Sequence, residues 1–339
     1  MRIHSIDLLK IIFTFLVVFG HMDIYYPGAA VAVDFFFVFS GFFLAKKFYS
    51  KSHLQTDNGY DQFRYTVDRI KVLYPQYIFS LLVLFCYIFG KELVRFVTGS
   101  PLAGTAGDLI ARAYELVPNV LAVQDLGFFA KGMNAAAWYV SVMLIVGYFI
   151  YGLLCKDEKF YSNIVLPIVF ILIGTYMAPG RDPFHTVGPF YNAILKGVMS
   201  MTEGLLVYKF FCSSWCEKFR SQKLFFNLVG ICATIALFLC ERYNNQHIIM
   251  FALVIIWTYT PESWINRVVK GKIFKRAGDW AYAVYLNHAF VIMVLEDLFA
   301  KLGVDMVRVQ FAWIAAAAAA VYSVLTLILL DRIKLALKK

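Results

Sequence analysis

The sequence has little charge for its length. Charged residues make up 16% of the 339 positions, hydrophobic residues make up 61%, and the mean hydropathy is +0.67. Soluble domains are about 25% charged and about 45–50% apolar. One aqueous core cannot hide that much apolar surface, so a soluble globular protein is excluded. The composition predicts a protein that crosses a membrane several times.

The sequence also lacks paired cysteines, a cleavable leader pattern and internal repeats. None of the six cysteines forms a CxxC pair, and Cys212 and Cys216 stand one helical turn apart without a second pair. We therefore expect no metal site and interpret the cysteines as small core residues. The first apolar run is followed at once by a second, which is typical of a retained membrane span rather than a signal peptide.

Long apolar segments take up most of the chain. We predict an all-α, polytopic integral membrane protein of about ten transmembrane helices, forming one domain over 1–339 with no separate soluble domain. The predicted spans are 8–25, 30–47, 73–90, 134–154, 162–178, 190–210, 223–240, 246–260, 279–299 and 310–331. The mixed segment 101–124 is expected to be an interfacial or re-entrant helix. The longest inner loop, about 48–72, is too short to fold alone.

The basic residues are distributed unevenly between the two sides. If the N-terminus is cytoplasmic and the spans alternate, 23 of the 32 lysines and arginines lie inside, 8 lie outside and one falls within a span. The positive-inside rule then predicts this orientation, with both termini in the cytoplasm of a cell whose cytoplasmic membrane holds the protein. The same rule accounts for the net charge of +10 without any nucleic acid.

The first span, DLLKIIFTFLVVFGH, carries ionisable groups at both ends. Eleven helical steps separate Lys10 from His21, so the two share one face about 16 Å apart. Ionisable groups at membrane depth are expensive and usually have a function or a partner. Two interpretations stay open for each residue: His21 can be a base or a packing residue, and Lys10 can bind an anion or extend to the interface.

The second span, VAVDFFFVFSGFFLA, places a carboxylate near its outer end. From the span limits, Asp34 is expected at the depth of His21. There it can fix the tautomer of the imidazole ring, or the two residues can be unrelated. Gly41 lies seven residues from Asp34 on the same face, which allows another helix to approach closely.

Further polar residues occur on the outer side and within the sixth predicted span. Lys196 and Glu203 are seven residues apart, so they share a face and can pair with other helices or line a cavity. Arg181 and His185 lie in the outer loop PGRDPFHTVGP, which can contact a substrate or be a simple Pro-Gly turn. Late in the chain, His288 is interpreted as a packing or interfacial residue rather than a chemical one.

Five motifs in order resemble those of the membrane-bound acyltransferase family 3. They are the basic residue and histidine of the first span, VDFFFVFSGFFLA, DRIKVLYPQY, AAWYVSVMLIVGY and GDWAYAVYLNHAF. The resemblance covers nearly the whole chain.

The resemblance implies transfer of an acyl group, commonly acetyl, from cytoplasmic acyl-CoA to a hydroxyl of a cell-surface glycan or glycolipid. His21 then corresponds to the essential histidine and acts as general base, with Asp34 beside it. Lys10 corresponds to the cation near the CoA phosphates. Arg64, Arg69 and Lys71 lie on the same side and are expected to add to that anion site. The expected partners are the lipid bilayer, the donor and the acceptor. The oligomeric state stays open and includes a homo-oligomer.

The chain departs from the family pattern at four positions. Ala32 replaces a glycine, Val72 replaces the second basic residue before the YP pair, Met143 replaces a glutamate, and Trp280 replaces a serine. Two alternatives therefore stay open: a transporter whose path is lined by the buried charges, or a sensory or permease-like domain that keeps the fold without the chemistry. The absence of an internal repeat argues against a transporter.

Overall fold

A computed structural model describes residues 3–22, 29–52, 61–100, 104–127, 132–134, 136–177, 181–239, 246–269, 276–304 and 307–337. These ranges contain fourteen α-helices. They are α1 (His4–Gly20), α2 (Ala29–Ser52), α3 (Gln62–Val97), α4 (Ala106–Val120), α5 (Trp138–Lys156), α6 (Glu158–Phe160), α7 (Leu166–Met177), α8 (Asn192–Phe211), α9 (Ser214–Ser221), α10 (Lys223–Phe238), α11 (Gln246–Tyr259), α12 (Trp264–Val268), α13 (Ala277–Leu302) and α14 (Arg308–Ala336). A π-helical turn, Tyr161–Val165, joins α6 to α7.

Each of the ten predicted spans falls on a helix of this bundle. Six described helical segments are long and apolar enough to cross a membrane, and the count rises to seven if the bent pair α9 and α10 is one span. The chain is therefore an all-α membrane protein in its architecture. The remaining spans and the cytoplasmic position of both termini stay predictions.

Three local expectations need revision. The inner loop predicted at 48–72 is shorter, because α2 continues to Ser52 and α3 begins at Gln62, where the Asp61 carboxylate accepts a hydrogen bond from the Arg64 backbone N–H. The predicted outer loop contains a short hairpin in which two strands of two residues each, β1 (Thr186–Val187) and β2 (Phe190–Tyr191), pair antiparallel. Among the described cysteines Cys216 alone is buried, since the other four face outward from their helices. Cys240 lies outside the described residues.

The segment 101–124 contains the expected helix, α4. It starts at Thr105, whose hydroxyl accepts a hydrogen bond from the Asp108 backbone N–H, while the Asp108 carboxylate accepts one from the Thr105 backbone. This reciprocal capping box satisfies two donors that a helix start leaves open. Whether α4 lies at the membrane interface stays a prediction.

The closest helix contact in the core joins α2 to α8. A Cβ atom built on Gly41 would lie 1.9 Å from the carbonyl oxygen of Met201, and one built on Gly204 would lie 1.9 Å from that of Val38. Glycine at both positions lets the two backbones touch, as small residues do in packed membrane helices. Gly41 was expected to permit such an approach, and it does.

The pairs α2–α8 and α1–α13 are each parallel. Along α1 and α13, Thr14 donates to the Ala281 carbonyl at 3.4 Å, and further along the His21 and His288 rings lie 4.9 Å apart. Parallel packing agrees with the chain directions assigned from the basic residues, because both helices of each pair run the same way in that assignment. The α1–α13 contact positions the candidate site.

We expect Gly204→Ala to lower the stability of the protein by about 1–3 kcal/mol, because the added methyl must separate two backbones in contact. Gly90 of α3 is the matched control, since a Cβ there meets no atom within 4 Å. Gly90→Ala should leave stability unchanged or raise it by about 0.5–1 kcal/mol. Thermal denaturation of the detergent-solubilised variants checks this, and equal melting temperatures for both would contradict the contact.

Candidate active site

His21 ends α1 and is exposed. Its ring nitrogen Nδ1 lies 2.9 Å from the carbonyl oxygen of Val17, one turn earlier on the same helix. A carbonyl oxygen only accepts hydrogen bonds, so Nδ1 carries the proton in this arrangement. In the neutral ring Nε2 then holds a lone pair. A backbone carbonyl therefore gives His21 the tautomer that a general base requires.

His288 of α13 is the nearest imidazole to His21. The ring centroids are 4.9 Å apart with an interplanar angle of 61°, and His288 is fully buried. Its Nδ1 lies 2.7 Å from the carbonyl oxygen of Tyr285, which again leaves Nε2 as the atom with a lone pair. Within the described part of the chain, this Nε2 has no hydrogen-bond partner.

The two rings therefore form a histidine pair in which each ring keeps a lone pair at Nε2. Each neutral ring offers an acceptor at Nε2, and two acceptors cannot satisfy each other. A buried polar atom without a partner is costly, and in an enzyme such an atom is commonly reserved for a ligand. The sequence interpretation assigned His288 to packing, because the sequence does not show that α1 and α13 pack in parallel with His21 and His288 at one level.

Asp34 does not contact His21. The ring of Phe13 stacks on that of Phe35 at 4.2 Å, and the Lys10 ammonium lies 5.2 Å from the Phe39 ring centroid, so antiparallel α1 and α2 place Asp34 level with residue 14 or 15 of α1. Six or seven residues correspond to about 10 Å along the axis. The expected equal depth was wrong because the span limits read from hydropathy do not set the register of two packed helices.

Asp34 instead pairs with Lys196 of α8. The Lys196 ammonium lies 3.0 Å from a carboxylate oxygen of Asp34, and the Asp34 side chain is fully buried. Ser200 and His247 lie close enough to interact with the same carboxylate. A buried carboxylate needs such compensation. The role of Asp34 in catalysis stays a prediction, and its structural partner is on α8.

Glu203 lies seven residues, or about two helical turns, after Lys196 on α8 and is also buried. Its two carboxylate oxygens find no hydrogen-bond donor among the described residues, and Asp34 is its nearest electrostatic neighbour. The predicted common face of Lys196 and Glu203 is therefore present, inside the bundle. Their assignment to an acceptor cavity stays a prediction.

One stripe of α2 is less buried than the rest of that helix. Between residues 31 and 45, the partly exposed positions are Val33, Phe36, Ser40 and Phe43, at spacings of three and four. These spacings place the four positions on one face of α2, which is partly exposed and is called the groove below. In the groove the Ser40 hydroxyl lies 2.7 Å from the Tyr139 hydroxyl, which donates to the Phe36 carbonyl at 3.1 Å.

Met143 lies in the same groove. The Ser40 hydroxyl approaches its sulfur at 3.4 Å. The family-pattern glutamate that Met143 replaces would therefore meet Ser40 and Tyr139. Here a weak thioether acceptor stands in its place, so this part of the groove is less polar than the family pattern implies.

Three basic residues predicted to bind the donor lie on the first turns of α3. Arg69 is half-buried, and its Nε donates a hydrogen bond to the Tyr65 hydroxyl at 3.3 Å. Its guanidinium is also close enough to Tyr139 for electrostatic interaction. Arg64 and Lys71, seven residues apart, share an exposed face. Val72 is also exposed, at 73%. Among the three, Arg69 is therefore the one directed toward the groove, and their binding of a donor stays a prediction.

Lys10 lines a cavity of about 280 Å³ whose lining does not include those three residues. Its ammonium lies 3.9 Å from the Asp7 carboxylate. A shared donor site for Lys10 and the basic residues of α3 stays a prediction.

The outer loop holds Arg181 and His185 at the surface. Arg181 is exposed, its Nε donates to the Tyr176 carbonyl at 2.8 Å, and its guanidinium carbon lies 4.3 Å from the Tyr176 ring centroid. His185 is exposed at the start of the β1–β2 hairpin, and its carbonyl accepts from the Asn192 backbone. The loop therefore forms an ordered hairpin whose Arg181 and His185 side chains are exposed. Contact of these residues with an acceptor stays a prediction.

Asp125, which the sequence did not single out, lies in the loop after α4 and outside the spanning helices. It is 2% exposed and close enough to Tyr285 for electrostatic interaction. Burial raises its pKa from 3.8 to about 6, against hydrogen bonds from Gly132 and Gln124 that lower it. Asp125 thus adds a buried carboxyl group on the Tyr285 side of α13.

The helical bundle, with its apolar helices and buried charges, is that of an integral membrane protein. The family model described as an acyltransferase domain, family 3, matches residues 3–332. The chain therefore belongs to this family and is a membrane acyltransferase. No curated protein and no solved structure matches the chain.

We expect Lys196→Met to destabilise the protein by about 3–5 kcal/mol, because it leaves a buried Asp34 carboxylate without its cation. Asp34→Asn combined with Lys196→Met should recover most of the loss. Removing Arg112, which pairs with Glu115 at 2.8 Å on the surface, serves as the control and should cost less than about 1 kcal/mol. Thermal denaturation of the four proteins measures these differences. Equal loss in single and double variants would exclude the pair, and an active double variant would exclude catalysis by Asp34.

Asp125→Asn should stabilise the protein above neutral pH and not at pH 4. The folded-state pKa of about 6 lies above the ordinary 3.8, so the protonated carboxyl favours folding at low pH and this contribution disappears as the pH rises through 6. The difference between these two pKa values corresponds to roughly 3 kcal/mol in the free energy of unfolding. Melting temperatures of wild type and variant at pH 4, 6 and 8 test this; a difference independent of pH would contradict it.

Proposed function

We propose that this protein is an O-acyltransferase that moves an acyl group, acetyl in the first instance, from cytoplasmic acyl-CoA to a hydroxyl of an exported sugar or glycolipid. The cytoplasmic membrane is the proposed location. The observation that carries the proposal is the histidine pair, His21 and His288, in which each ring keeps a lone pair at Nε2, in a chain of the acyltransferase family.

The proposed reaction needs one base that also returns its proton. His21 Nε2 takes the proton of the acceptor hydroxyl as the oxygen attacks the thioester carbonyl carbon. The C–S bond then breaks, and the leaving thiolate takes the proton from the imidazolium, so the products are an ester and free CoA. The Val17 carbonyl supports each stage, because it accepts from Nδ1–H in both the neutral and the charged ring.

Two features support a path for a pantetheine arm along the first helix. Lys10 and His21 are about 16 Å apart along α1, and the groove face of α2 offers apolar rings together with the Ser40 and Tyr139 hydroxyls. A chain of amides and methylenes fits such a mixed surface. We assign to His288 a substrate-binding role, because its buried Nε2 has no hydrogen-bond partner among the described residues and offers an acceptor to a bound donor or acceptor molecule.

His21→Ala should lower acyl transfer by about 10²–10⁴-fold, the usual contribution of a positioned general base. Transfer from labelled acetyl-CoA to a panel of glycans by membranes or purified protein measures it. The variant must show wild-type melting temperature and CoA binding, which separates lost chemistry from lost folding. Unchanged transfer by His21→Ala would exclude His21 as the base.

A transporter remains the competing function, supported by the buried charges Asp34, Lys196 and Glu203. Uptake of a glycan by proteoliposomes in the absence of acyl-CoA favours it. Acyl transfer without such uptake favours the enzyme. A sensory domain that keeps only the fold predicts neither.

A further inference from the structure

The cytoplasmic cavity beside Lys10 lies where α1, α2, α11 and α13 meet. Its volume is about 280 Å³, room for about nine water molecules at about 30 Å³ each. The lining residues are Ile3, Ile6, Asp7, Lys10, Phe43, Lys46, Tyr259 and Asp279. Two cations and two carboxylates thus face one cavity that also has aromatic walls.

Lys46 of α2 is the cation of this cavity that no carboxylate neutralises. Its ammonium lies 5.0 Å from the Tyr259 ring centroid and 5.7 Å from that of Phe43, and it forms no ion pair with any described residue. The next residue behaves differently, because the Lys47 ammonium lies 2.8 Å from the Asp68 carboxylate. Aromatic faces hold a cation in place without cancelling its charge.

Lys10 reaches the same cavity from the opposite wall. Its ammonium is 5.2 Å from the Phe39 ring centroid and 3.9 Å from the Asp7 carboxylate, so its charge is partly balanced. Asp279, in the first turn of α13, is exposed at the cavity. One side of the cavity therefore carries the Lys46 charge, which no described carboxylate pairs with. Another side carries the Asp279 carboxylate, which accepts hydrogen bonds.

A ligand for this cavity needs both anionic groups and hydrogen-bond donors. Phosphate alone would meet the two carboxylates unfavourably. A phosphorylated nucleoside meets both walls, since its phosphates pair with ammonium groups and its ribose hydroxyls or exocyclic amine donate to a carboxylate. Phe43 and Tyr259 offer ring faces for the base.

We propose that this cavity binds the phosphorylated nucleoside end of the CoA donor, with Lys46 as its main phosphate contact. The inference rests on the proposed donor and extends it, because Lys46 was not among the residues expected to bind CoA. The cavity also adjoins Lys10, from which the first-helix face leads to His21, so the bound thioester is directed toward the histidine pair.

Calorimetric titration of the purified protein in nanodiscs with CoA and with pantetheine tests this. Lys46→Gln should weaken CoA binding tenfold or more and leave pantetheine binding unchanged, because pantetheine lacks the phosphates. Lys46→Arg should restore CoA binding. Lys47→Gln is the matched control and should bind both ligands as the wild type does, since Lys47 is already paired with Asp68.

The outcomes separate the two proposals. Equal CoA affinity for Lys46→Gln and Lys47→Gln overturns the assignment of Lys46 while the proposed donor stands. Loss of both CoA and pantetheine binding in Lys46→Gln, with an unchanged melting temperature, overturns it too, because the phosphate end would not be the part affected. A wild-type protein that binds inorganic phosphate or phosphatidylglycerol nanodiscs through Lys46 but no CoA contradicts both the cavity assignment and the CoA donor.

Discussion

The backbone contact between α2 and α8 is the constraint on which the rest of the structure depends. Because Gly41 and Gly204 let the two helices touch, α2 has a single rotation about its axis. That rotation directs Asp34 toward Lys196 on one face and Ser40 toward the groove on another. A larger residue at either glycine would turn or displace α2, and the ion pair and the groove would change together.

Three of the polar sites described above lie apart from one another. The histidine pair lies at the end of α1, the Asp34–Lys196 pair lies at the α2–α8 contact, and the Lys46 cavity lies between the start of α1 and the later part of α2. Each uses a different way of stabilising polarity away from water: backbone carbonyls, an opposite charge, and aromatic faces.

Three of the residues that depart from the family pattern have surroundings that show what each replacement changes. Met143 meets Ser40 in the groove, so the replaced glutamate concerns groove polarity. Val72 is exposed, so the missing second basic residue leaves Arg69 as the α3 cation directed inward. Trp280 donates to the Ala320 carbonyl and packs against Phe15, which makes that position part of the α13–α14 contact.

The sequence by itself determined the membrane architecture, the helical segments and the family, because hydropathy and motifs are properties of the chain read in order. The partners of the polar residues were decided only by the tertiary structure. Asp34 pairs with Lys196 rather than His21, His288 meets His21, and Lys46 shares a cavity with Lys10. Each pairing depends on the register and rotation of packed helices, which side-chain shape sets and hydropathy does not encode.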